Sequence, residues 1–162
     1  MEKLQQTATE RRRLTRNRIY RYLYEAPEGH SKQEIADHLA LSLPTVHQNL
    51  SELMQAELVR ADGVQESTGG RRAARLCVAE NARFAVGVSV SAQHFRILAA
   101  NLRLEEIAYR KDAHDPTTDP AALGAQLAAA LERFLTDFGL NREKLLGVGI
   151  ALPGVLNAAQ DR

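Results

Sequence analysis

With 162 residues, 44% of them hydrophobic and 25% charged, the chain has the composition of an ordinary globular protein and enough length for one large domain or two small ones. A formal net charge of +1 excludes bulk electrostatic attraction to nucleic acid, and acidic and basic residues are nearly balanced on either side of residue 80. Any grip on phosphate therefore has to come from local clusters. The lone Cys77 excludes an internal disulfide or a thiolate zinc cluster, and the polar N-terminus, MEKLQQTATERRR, excludes a secretory signal of the usual kind. The longest apolar run, Leu145 to Leu156, is broken by Pro153 and too short to span a bilayer. A cytoplasmic protein with no membrane attachment is expected.

Thr7 and Glu10 form a T-x-x-E start for a helix running to about Glu25, with Leu14, Ile19, Tyr22 and Leu23 as its inner face. Arg11, Arg12, Arg13, Arg16, Arg18 and Arg21 are spread around this helix, as a solvated surface or as phosphate contacts. Pro27 and Gly29 end it.

The stretch from Ser31 to Leu58 reads as two short helices joined by a tight turn, a helix-turn-helix. Ser31 and Glu34 form a second capping box, and Ile35, Ala36 and Leu39 share an apolar face. Ser42 caps the second helix, whose buried stripe is Val46, Leu50, Leu53 and Met54. Its opposite face carries Pro44, Thr45, His47, Gln48, Ser51 and Gln55, short neutral hydrogen-bonding groups suited to base edges in a major groove. Thr45, His47, Gln48 and Ser51 are the expected base readers, with Ser31 and Lys32 holding phosphate at the first helix's N-terminus.

Leu58 to Val64 and Ala73 to Val78 read as paired strands, the wing of a winged helix. Between them lies QESTGGRR, where Gly69 and Gly70 allow close backbone approach and Arg71 and Arg72 can enter a minor groove or clamp phosphates. A second domain is expected from Asn81 onward, dividing the chain into residues 1–80 and 81–162. Phe84 to Val90, His94 to Ala100 and Leu104 to Tyr109 read as an antiparallel meander with turns at Ser91 to Gln93 and Asn101 to Arg103. Asp119 and Pro120 start a helix whose apolar stripe runs from Leu123 to Phe138, and Gly139 closes it. Leu145 to Leu152 reads as a strand buried on both faces.

The order of these segments resembles that of the ROK family, named for repressors, open reading frames and kinases: the helix-turn-helix, STGGRR, NARFAVGVSV, then a G-x-G-x-x-P-G segment. The likeness runs from Arg11 to the end of the chain, with Ala73 where the family often has proline. It implies an α+β architecture, a winged helix-turn-helix followed by the first part of an actin-like, sugar-kinase-like α/β domain. It also implies that the chain stops short of the family's sugar-contacting and zinc-binding segments, as a truncated form would. The implied function is a homodimeric repressor of carbohydrate genes that binds double-stranded DNA and answers to a sugar or sugar-phosphate effector when complete.

Kinases resembling this second half carry Gly-x-Asp-x-Gly-Gly-Thr in the first strand and turn. Here the matching residues are Gly87, Val88, Ser89, Val90, Ser91, Ala92 and Gln93, so serine stands where the acid serves metal and phosphate, and side chains stand where glycines admit nucleotide. No enzymatic activity, cofactor or metal is expected, and the histidines lack metal-ligand spacing. A ROK-type sugar kinase and a winged helix that binds protein instead of DNA are the alternative readings.

Overall fold

The computed structural model describes residues 7–64, 74–115 and 119–152. The chain divides into two compact units, Met1–Glu80 and Asn81–Arg162.

The first unit has three helices, α1 (Ala8–Glu25), α2 (Lys32–Leu39) and α3 (Leu43–Gln55), and a hairpin of β1 (Val59–Val64) and β2 (Ala74–Val78). The two predicted capping boxes form: Thr7 with Glu10, and Ser31 with Glu34. Between α2 and α3, Ala40 turns the chain in the left-handed region (φ 51°), its N–H directed to Ala36 and Asp37 carbonyls, so that a single residue closes one helix before Ser42 caps the next. The core joins Ile19 and Leu23 of α1, Ile35 and Ala36 of α2, Val46, Leu50 and Leu53 of α3, and Val59, Leu76 and Val78 of the hairpin.

Two expected core residues are outside it. Leu14 and Met54 are 43% and 42% exposed, because each lies at the rim of its stripe where the neighbouring element no longer covers it. Tyr22 is only partly buried and stacks between two imidazoles, 4.6 Å from His30 and 4.2 Å from His38. Burial first, then the carboxylates of Glu34 and Glu28, raises its phenol above the ordinary value.

The loop after α1 is locked to the hairpin. His30 and Leu76 exchange backbone hydrogen bonds of 3.1 and 2.8 Å, and this approach requires Gly29, which has φ 74° and no room for a side chain. An added Cβ would collide with Cys77 Sγ and lie 2.9 Å from the Leu76 carbonyl oxygen. Cys77 itself is buried and burial raises its thiol pKa, as fits a small core residue.

In the second unit, β3 (Phe84–Val90), β4 (His94–Asn101), β5 (Glu106–Ala113) and β6 (Leu145–Ala151) form one sheet in the order β5-β4-β3-β6. The first three make the expected antiparallel meander, while β6 runs parallel to β3 after the crossover through α4 (Pro120–Asp137). Phe84, Val86, Val88 and Val90 alternate inward and meet Phe95, Ile97 and Ala99 beneath Ala130, Phe134 and Leu135 of α4. The third strand begins later than its hydrophobicity suggests. Buried Asn101 accepts hydrogen bonds from the Arg103 and Glu105 backbone, which holds Leu104 in the turn at φ 62° and 81% exposed.

The expectation that Leu145 to Leu152 is buried on both faces is overturned. Leu145 is half-buried, whereas Leu146, Val148, Ile150 and Leu152 are exposed. Val148 and Ile150 pair with Val86 and Val88 and so share the face that α4 covers, but α4 packs over β4 and leaves the β6 edge open. Pro153 and Gly154 lie outside the described residues.

Gly29→Ala is expected to destabilise the chain by about 2 kcal/mol or more, from left-handed backbone strain and overpacking together. A urea melt followed by circular dichroism measures it, and an unchanged midpoint would contradict the close packing of this loop.

Candidate nucleic-acid interface

Helix α3 is positioned by its inner stripe, which leaves the opposite side to solvent. Pro44, His47, Gln48 and Gln55 are exposed, and Thr45 and Ser51 are half-buried at the edges of that side. Five of these six residues are polar, and together they line the outer side from the helix N-terminus onward. Pro44 in the first turn costs no hydrogen bond there and presets the backbone for the helix.

The side chains on this surface differ in how committed they are. Ser42 Oγ accepts the Thr45 N–H at 3.3 Å and lies 2.8 Å from Thr45 Oγ1, and Ser51 donates to the His47 carbonyl at 2.9 Å. Both hydroxyls are thus held by their own helix, and Ser51, whose hydrogen goes to the His47 carbonyl, has lone pairs to offer. Gln48 makes no such bond among the described residues, which leaves its amide free to present donor and acceptor together, the pairing that matches adenine.

At the start of α2 the structure separates Ser31 from Lys32. Ser31 is buried at 6% exposure, its hydroxyl accepts the Glu34 N–H at 3.2 Å, and Glu34 Oε2 accepts the Ser31 N–H at 2.7 Å. The helix N-terminus already holds a carboxylate. Ser31 is thus the cap of its helix with a carboxylate beside it, and Lys32 is exposed. The tip residues Gly69, Gly70, Arg71 and Arg72 lie outside the described residues. What the structure does define is the hairpin that leads to them, with Val59 opposite Val78 and Arg60 opposite Cys77.

Arg12, Arg16 and Arg18 of α1 have defined structural partners. Arg18 donates to the Leu39 carbonyl at 3.2 Å, at the C-terminus of α2. Arg12 and Arg16 both bind Glu52 of α3, Arg16 at 2.7 Å. Hydrogen bonds from Arg16 and then Arg12 hold the Glu52 carboxyl below its ordinary value. Sequence reasoning left out Glu52, and the only available signal was the one-turn spacing of Arg12 and Arg16. It also left out Asn49, which is 2% exposed on α3; its amide donates to the Thr45 carbonyl at 2.8 Å while Oδ1 has no partner among the described residues.

In the second unit, Gly87 and Ser89 are on the sheet face away from α4. The turn after them is drawn shut by side chains. Ser91 Oγ donates to the His94 carbonyl at 3.0 Å and accepts its N–H at 3.2 Å, and His114 Nε2 lies 2.8 Å from the Ser91 carbonyl. Among the described residues there is no group of acidic, histidine or cysteine side chains that could hold a metal, and no helix long and apolar enough to cross a membrane.

This geometry agrees with what the chain is similar to. Residues 12–60 match the winged helix-turn-helix DNA-binding family. The xylose repressors of Bacillus subtilis strain 168 and Bacillus spizizenii strain W23 are each 25% identical over 130 residues, covering 80% of this chain and 34% of their own length. The chain thus spans about a third of these relatives. A crystal structure of a ROK family transcriptional regulator, a homologue of the E. coli MLC protein, superposes with a TM-score of 0.65 at 20% identity, over 92% of this chain and 37% of that one. The helices and hairpin of the first unit have the winged helix-turn-helix arrangement. The mixed sheet that follows it shares the fold of that solved structure.

Because the Glu52 carboxyl titrates below its ordinary 4.5 in the folded chain, its contribution to stability is present above that pH. It is lost as pH falls through the depressed folded value. Glu52→Gln should therefore lower the thermal midpoint slightly at pH 7, with the difference shrinking to nothing in acid. Paired melts of the two chains across this range check it; a deficit independent of pH would mean that the carboxylate charge is not what stabilises.

Proposed function

We propose that the chain is the DNA-reading part, with the beginning of the effector part, of a transcriptional repressor of sugar-related genes. The observation that carries this reading is the outer face of α3, where Thr45, His47, Gln48, Ser51 and Gln55 are held outward by the burial of Val46, Leu50 and Leu53. Gln48, His47, Thr45 and Ser51 read base edges. Lys32 contacts the DNA backbone, as do Arg71 and Arg72 at the wing tip, where Gly69 and Gly70 admit close approach. Residues 1–80 form the DNA-binding domain and residues 81–162 belong to the effector domain.

The regulator is not an enzyme in this reading. Support comes from Ser89 in place of the metal-serving acid and from Ser91 and Ala92 in place of the glycines, with the Ser91 side chain bonded to the His94 backbone. The complete protein works as a homodimer on a two-fold operator, and a sugar or sugar phosphate bound by the effector domain alters that binding. The repressor names of the Bacillus relatives support the sugar link. A cytoplasmic location follows from work on DNA.

Selection of the chain on random duplexes, followed by binding measurements on the enriched site, tests the reading. Gln48→Ala should weaken the selected site by about 1–3 kcal/mol and relax preference at one base pair. Lys32→Ala should weaken all duplexes alike and reduce the salt slope by about 0.9. Enrichment of no sequence, or equal losses at every site for both variants, would contradict the assignment of readers and backbone contacts.

A further inference from the structure

The Arg12–Glu52–Arg16 cluster is more than a tie between α1 and α3. The two arginines lie one helical turn apart on α1, and each takes a different oxygen of the same carboxylate, Arg12 Nη2 on Oε1 and Arg16 Nη1 on Oε2. Glu52 in turn stands one helical turn beyond Gln48. The side chains of Arg12, Arg16 and Glu52 are 51%, 37% and 24% exposed, so the cluster borders the polar surface of α3 within reach of solvent. The apolar core independently joins α1 to α3 through Ile19, Leu23, Val46 and Leu50.

A guanidinium fork fits carboxylate and phosphate oxygens alike. Resting on the reading that α3 faces DNA, we propose that Glu52 is a built-in substitute for phosphate, which keeps Arg12 and Arg16 off the DNA backbone and so limits sequence-independent binding. With both carboxylate oxygens occupied, the cluster presents one net positive charge instead of two. Affinity for arbitrary DNA is lowered, and discrimination is left to the neutral side chains of α3.

The test is binding of the full 162-residue chain to a scrambled-sequence duplex by fluorescence anisotropy over a salt series. Glu52→Gln should bind this duplex more tightly than the wild type at low salt. Its plot of log affinity against log salt should steepen by about 0.9 for each arginine released, up to about 1.8. The triple variant Arg12→Gln, Arg16→Gln, Glu52→Gln should return to the wild-type slope. Circular dichroism establishes that each variant is folded. A folded Glu52→Gln chain with an unchanged slope overturns the proposal while leaving α3 as the reading helix. Should Glu52→Gln fail to fold, the triple variant decides: a wild-type slope supports the proposal, and a flatter one shows that the arginines already contact phosphate and overturns it. No affinity of the wild type for any duplex, even at low salt, would overturn this inference together with the DNA-binding reading on which it rests.

Discussion

The burial of Val46, Leu50 and Leu53 against Ile19 and Leu23 is the constraint on which the first unit depends. A helix of thirteen residues has little stability of its own in water, and its orientation is set by whichever face can leave solvent. Once that stripe is buried, the rotation of α3 about its axis is fixed, and Pro44, His47, Gln48 and Gln55 have to face outward. The Ala40 turn and the Ser42 cap fix where the helix starts, and the Gly29 approach to Cys77 and Leu76 fixes the hairpin beside it. Reading surface and core are therefore two sides of the same packing decision.

The second unit follows the same logic with a sheet. Alternation along β3 places Phe84, Val86, Val88 and Val90 under α4 and leaves Gly87 and Ser89 on the opposite face. The β6 strand is apolar throughout, yet among the described residues only Leu145 is partly covered. Its sequence is suited to burial in a larger α/β sheet, whereas among the described residues it has a strand partner along one edge only.

Local signals were the legible ones. Capping boxes at Thr7 and Ser31, the Ser42 cap, the alternation of β3 and the Asp119-Pro120 helix start are each written within a few residues, and the structure forms them where the pattern places them. What escaped depended on partners distant in sequence. Nothing near Glu52 indicates that Arg12 and Arg16 would meet it across 40 and 36 residues, and nothing in Tyr22 indicates that His30 and His38 would enclose its ring. At Ser31 the local pattern again held, with the Glu34 carboxylate on the Ser31 N–H at the start of the helix. Strand β6 was misjudged because periodicity reports a strand's suitability for burial and not whether anything lies over it.

The central claim is that the polar face of α3 meets DNA while its apolar stripe stays in the core. The most direct measurement is a magnetic resonance titration of isotope-labelled chain with a duplex enriched by selection, following backbone and side-chain amides. The account predicts that the Gln48 side-chain amide and the backbone of residues 44–51 shift first and saturate together, with Lys32 joining them and the sheet of residues 84–151 unmoved. Shifts confined to the exposed β6 strand, or none on α3 at saturating duplex, would contradict it.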